Sequence, residues 1–130
     1  MNTLDVFRQK KREILRKIVH FFIHQEAPAD LPPISEEISN ISEDETTQMI
    51  HGFLEVIEKA LTGDKEAAQD YLSLILPPLK SGGLSSSMIV RSVPAMFAII
   101  AVNLGPDHLS WISQYSQEYM DALNQVWESA

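Results

Sequence analysis

The chain contains no cysteine, so disulfides, thiolate metal sites and cysteine nucleophiles are excluded. That absence fits a reducing compartment, and the cytoplasm is the expected setting. The basic N-terminal stretch is not followed by a cleavable apolar region, so it does not read as a secretory signal. Basic residues are scarce: 10 lysines and arginines stand against 18 acidic groups, for a net charge of -8. Strand-like alternation is missing, as are internal repeats and any linker long enough to divide the chain. A glycine-rich phosphate loop, a serine elbow and a metal-ligand cluster are missing too. Paired carboxylates such as Glu36 and Glu37 fall in capping or surface contexts. No enzyme class finds support, and no cofactor is expected.

Long hydrophobic runs are also lacking, with one near exception. From Val93 to Val102 no side chain is charged or polar. A bilayer span needs about 17–25 predominantly apolar residues. Here Arg91 and Ser92 bound the run on one side, and Asn103 and Gly105-Pro106 on the other. The run therefore reads as a buried helix, wrapped by the others, with no membrane role and with any exposed remainder belonging to a two-fold partner surface or a small apolar ligand cavity.

What the chain does have is helical periodicity. Leu4, Phe7, Ile14, Ile18, Phe21 and Phe22 recur at threes, fours and sevens, predicting a helix from Asn2 or Thr3 to near Gln25. The prolines of "APADLPPIS" break it, and a short extra turn fits Ser35–Ile38. Ser42 with Glu45 forms a capping box for a second helix, which carries Ile50, Phe53, Leu54 and Ile57 inward and stops at Gly63. Asp64 is the expected cap of a third, with Ala68, Tyr71, Leu72, Ile75 and Leu79 inward, kinked or ended by Pro77-Pro78. Ser87 is the favoured cap of the apolar fourth helix, which Pro94 bends. The last helix starts near Asp107 and carries Leu109, Ile112, Tyr115, Tyr119, Leu123 and Val126 at alternating threes and fours. The expectation is a single all-α domain, residues 1–130, of five main helices.

The polar candidates are few. His20 and His24 have the four-residue spacing of two metal ligands, yet two nitrogens alone make a weak site. His51 stands where a phosphotransfer histidine sits, but no lysine or arginine lies within two turns to hold a phosphate. His108 reads as a polar residue near a helix end. Haem would need a sheltered axial ligand, for which the four histidines and five methionines are candidates, but no histidine falls within the apolar helix. Residues 1–25 carry six basic groups against two acidic, a balance of +4, while the remainder carries -12. Arg8, Arg12 and Arg16 therefore form the candidate face for an anionic partner. The acidic body disfavours nucleic acid. Trp111, Tyr115, Tyr119 and Trp127 give the last helix an aromatic edge, the candidate surface for a dimer or partner.

The segment "FLEVIEKALTGDKEAAQDYLSLILPPLKSGGLSSSMIVRSVPAMFAIIAVNL" resembles the N-terminal sensor domains of RsbR-type stressosome proteins. Shared features are an apolar helix, a "TGD" turn, a second helix, and a glycine-leucine-serine opening to an apolar helix. The resemblance implies a globin-like fold, usually without haem, that dimerises and relays a stress signal through its final helix into an output domain. The chain stops at "QVWESA", with no output domain, so it reads as a sensor domain alone or a stand-alone relative. Two alternatives stand beside it: a globin-like domain binding haem or a small apolar molecule, and a small regulator docking through its basic first helix.

Overall fold

A computed structural model describes residues 2–23, 43–83 and 85–130. Five α-helices occupy them: α1 (Thr3–Ile23), α2 (Glu43–Leu61), α3 (Ala67–Ser81), α4 (Ser86–Leu104) and α5 (Leu109–Ser129). A single 3-10 turn, Pro106–His108, joins the last two, and no strand occurs among the described residues. The all-α reading is correct. The Ser35–Ile38 turn, the Ser42 capping box, His24 and Gln25 lie outside the described residues.

The helices close on one another like staves. α1 lies between α2 and α4, α4 packs on α5, α5 on α3, and α3 returns to α2. Their inward stripes meet in one core, with Phe7, Ile14, Ile18, Leu54, Ile57, Leu72 and Ile100 fully enclosed. Asn2 caps α1, its Oδ1 accepting from the Asp5 amide at 2.8 Å, which satisfies one of the orphan donors of a first turn. Past α2, Gly63 takes a φ of +105°, a left-handed backbone that favours glycine.

Some expectations need correction. α3 runs through Pro77 and Pro78 to Ser81, so the prolines do not end it. A helical proline frees the carbonyl four residues before it, here those of Ser73 and Leu74, and both residues are exposed. Water can satisfy those carbonyls, so the helix continues. Pro94 follows the same rule, since Val90 is exposed as well. The start of α3 lies at Ala67 with Glu66 as N-cap and no side-chain cap, so Asp64 does not cap it. Ser85, two residues before the expected Ser87, caps α4 by accepting from the Met88 amide at 3.3 Å.

The largest correction concerns α4. By length and composition it is apolar enough to cross a bilayer, but only 44% of its apolar stretch is buried inside the molecule. The helix is therefore not sealed within the others. Its inner stripe (Met88, Ile89, Val93, Phe97, Ile100 and Leu104) is buried, and its principal neighbours are α1 and α5. The opposite face stays outside.

Candidate functional site

The core is filled unevenly. Around Phe97 of α4 it is dense. Phe53 of α2 meets Phe97 edge-on at 5.2 Å and Tyr119 of α5 at 5.2 Å. Phe97 also meets Tyr119 at 5.6 Å and Tyr115 at 6.1 Å, and Trp111 stacks on Tyr115 at 5.0 Å. These separations are those at which aromatic edges and faces attract beyond simple burial.

One turn towards the start of α4 the filling changes. Met49, Met88 and Met96 converge with Phe22, Ile75 and Tyr119 around a cavity of about 120 Å³. Phe53 and Tyr119 belong both to its wall and to the aromatic cluster, so one partition separates the dense half from the hollow one.

The wall presents almost no polarity. Ser92 is buried, and its hydroxyl donates to the Met88 carbonyl within its own helix at 2.7 Å. Tyr71 of α3 donates from its hydroxyl to the Met49 carbonyl of α2 at 2.5 Å. Burial pushes the Tyr71 phenol up to about 12, because an apolar wall disfavours the charged phenolate. Gly52 makes that bond possible. A Cβ at Gly52 would come within 2.7 Å of the Tyr71 ring, so the missing side chain lets the ring lie on the helix backbone. A mid-helix glycine costs about 1 kcal/mol against alanine, and here it admits a tyrosine at the cavity rim. Met49, Tyr71, Ile75 and Leu79 also line a shallower outer groove, where Glu45 and Gln48 supply its polar edge.

Tyr71, Ile75 and Leu79, expected in the core, are only half-buried. They form the rim of the cavity, and the void accounts for the missing cover. Leu76, which takes the core position instead, is buried. The sequence held two signals for this arrangement: a glycine inside an apolar helix, and methionines clustered on facing stripes.

The aromatic edge of α5 does not form a surface. Tyr115 and Tyr119 are each only 3% exposed, which removes them from any partner face. Burial raises both phenols, Tyr115 to about 12. The Tyr115 hydroxyl is buried without a hydrogen-bond partner. Trp111 and Trp127 are half-buried and stand ~24 Å apart along the helix, too far to share one contact patch. Trp127 is engaged by Lys80, whose ammonium lies 5.1 Å over its ring and donates to the Trp127 carbonyl at 3.0 Å.

The arginine row is exposed on α1, but much of the surrounding basic charge is committed within the molecule. Arg8 pairs with Glu58 of α2 at 3.4 Å. Lys11 pairs with Glu55 and Glu58, and its hydrogen bond lowers the Glu55 pKa despite opposing desolvation. Lys10 donates to the Asn103 carbonyl at 2.7 Å and Lys17 to Asn103 Oδ1 at 2.8 Å, which neutralises the negative end of α4. Arg12 and Arg16, likewise exposed, are the members of the row with no ion pair among the described residues.

His20 and His51 are exposed and His108 is half-buried; the His108 ring hydrogen-bonds Thr3 at 2.8 Å. No group of three or more histidines or carboxylates able to hold a metal occurs among the described residues.

A second feature lies on the outer side of α4. Val90, Pro94, Ala98 and Val102 follow one another at every fourth position and all are exposed. Val102 is 81% exposed and Val90 48%. Ala95 and Ala101 flank the stripe, and Arg91 is its one charged neighbour on the helix.

No protein family model, curated protein or solved structure matches the chain.

Proposed function

We propose that the chain is a non-catalytic sensory and interaction domain of the RsbR type, which pairs with a second copy through the outer face of α4 and passes its signal by contact. The uncharged stripe Val90–Pro94–Ala98–Val102 carries this reading. Exposed single hydrophobics are ordinary, whereas an apolar stripe along one helix face is a feature of contact surfaces. Its small side chains permit close helix approach. On a molecule of net charge -8, an uncharged stripe is also where an equally acidic copy meets least repulsion. A two-fold pairing uses the same patch twice, as self-complementary interfaces do.

The stripe is ~18 Å long at 1.5 Å per residue, so the flanks of α1 and α5 must join it to reach the roughly 1,000 Å² of a stable interface. The globin-like arrangement, the cytoplasmic setting and a relay into a signalling complex belong to the same proposal, supported by the resemblance in residues 53–104. The cavity favours a small-molecule input over haem, because it is far smaller than a porphyrin and none of the described histidines lines it.

Sedimentation equilibrium tests the pairing. The expected result is a dimer at tens of micromolar and a monomer for Val102→Glu, with helical circular dichroism unchanged. A monomeric parent protein, or a Val102→Glu variant that dimerises equally, overturns the proposal.

A further inference from the structure

The geometry points to the Met49–Met88–Met96 cavity as a binding site for an uncharged, apolar molecule about the size of a single aromatic ring. Its volume is about 120 Å³, and an apolar void on the order of 150 Å³ stays dry and takes up benzene or xenon. Water is a poor occupant, since it needs two to four polar partners. Of the four hydroxyl-bearing residues on this wall, Ser92 and Tyr71 already give their protons to backbone carbonyls, leaving only those of Thr46 and Tyr119 in an otherwise apolar lining.

A charged ligand is equally disfavoured. No charged side chain lines the cavity, and an unpaired charge is not carried into an apolar site. The methionines suit a site that accepts its guest by rearrangement, because an unbranched thioether side chain repacks around irregular shapes. Entry is through the rim of Met49, Tyr71, Ile75 and Leu79, shared with the outer groove. This inference is independent of self-association: the cavity lies on the inner side of α4, and the pairing stripe on the outer.

The test uses the full chain, with benzene as the probe and methionine methyl NMR as the readout. The ε-methyls of Met49, Met88 and Met96 report on the wall, while Met120, partly buried against the core and outside the lining, is the internal control. Saturable shifts at the three wall methyls, with Met120 little changed, are expected. Filling the rim with Ile75→Trp should weaken benzene binding at least tenfold. If that variant fails to fold, a size series decides on the parent protein: benzene shifts the wall methyls and anthracene does not. Non-saturable shifts, equal shifts at Met120, or an anthracene response matching that of benzene overturn the assignment.

Discussion

The two halves of the core share α2, α4 and α5, yet they are packed by different means. Around Phe97, rings meet edge to face at 5.2 to 6.1 Å. Around Met88 and Met96, flexible thioethers border a void. Rings have few torsions and lock when their edges meet faces, whereas methionine has three and adapts. The dense half therefore holds the fold, and the hollow half is free to accommodate a guest. Adjacent residues on one helix, Met96 and Phe97, belong to opposite sides of that division.

The sharpest way to break this comparison is to truncate both neighbours. Phe97→Ala should cost about 3–5 kcal/mol, the range for a buried ring in a filled core, measured by urea denaturation. Met96→Ala, half-buried beside an existing void, should cost under about 2 kcal/mol, since less packing is lost there. Equal losses would mean that the halves do not differ mechanically.

Alkaline titration separates the halves in another way. The three tyrosines of the chain all have folded pKa values raised by burial, Tyr71 and Tyr115 to about 12. Above pH 10 the unfolded chain ionises while the native one holds its protons, so stability should fall between about pH 10 and 12. It is fully present below that window. Tyrosinate absorbance is expected to appear together with loss of helix, in one step. If one tyrosine ionises ahead of the other two, the cavity rim carrying Tyr71 opens independently of the aromatic half.

Gly52→Ala is a smaller test, at the rim. Helix propensity alone predicts a gain of about 1 kcal/mol. The contact with the Tyr71 ring at 2.7 Å predicts instead a net loss of about 1 kcal/mol, because overpacking typically costs about 1–3 kcal/mol. The sign of the change in melting midpoint decides. Smallest of all is Tyr115→Phe in the dense half. Removing a buried hydroxyl that has no partner should leave stability unchanged or raise it by up to about 1 kcal/mol. A clear loss by thermal unfolding would reveal a bound water or another partner at that hydroxyl.

Much of this architecture was legible in the residue pattern. The stripes of α1 and α5 are read correctly at Phe7, Ile14, Ile18, Ile112, Leu123 and Val126, all buried. A helix against a core must repeat its apolar residues at threes and fours, and these do. Gly63 ends α2 for a reason visible in its type. That Pro77 and Pro78 do not end α3 could not be read from the sequence, because it depends on whether the freed carbonyls face water, which is a tertiary fact. Apolarity misled in α4 for a related reason. Hydrophobicity reports what avoids water and not which neighbour provides the shelter, so the run reads alike whether it is enclosed or paired outward. On α5 Tyr115 and Tyr119 are read correctly on the inner stripe with Ile112 and Leu123, which rules them out of the aromatic edge, while Leu109, expected on that stripe, is 50% exposed. Of the cavity only the hints at Gly52 and the methionines lay in the sequence, since a void is set by how side chains from all five helices meet.

The account depends most on α4 having two working faces. Because the chain has no cysteine, single introduced cysteines can probe the outer one cleanly. Val90→Cys, Ala98→Cys and Val102→Cys should be compared under mild oxidation with Leu74→Cys, a control on α3 that is 73% exposed. A disulfide requires Cα atoms within about 7 Å of each other. The account predicts rapid disulfide-linked dimers from at least one of the α4 positions and none from Leu74→Cys. Equal, slow cross-linking at all four positions would contradict it.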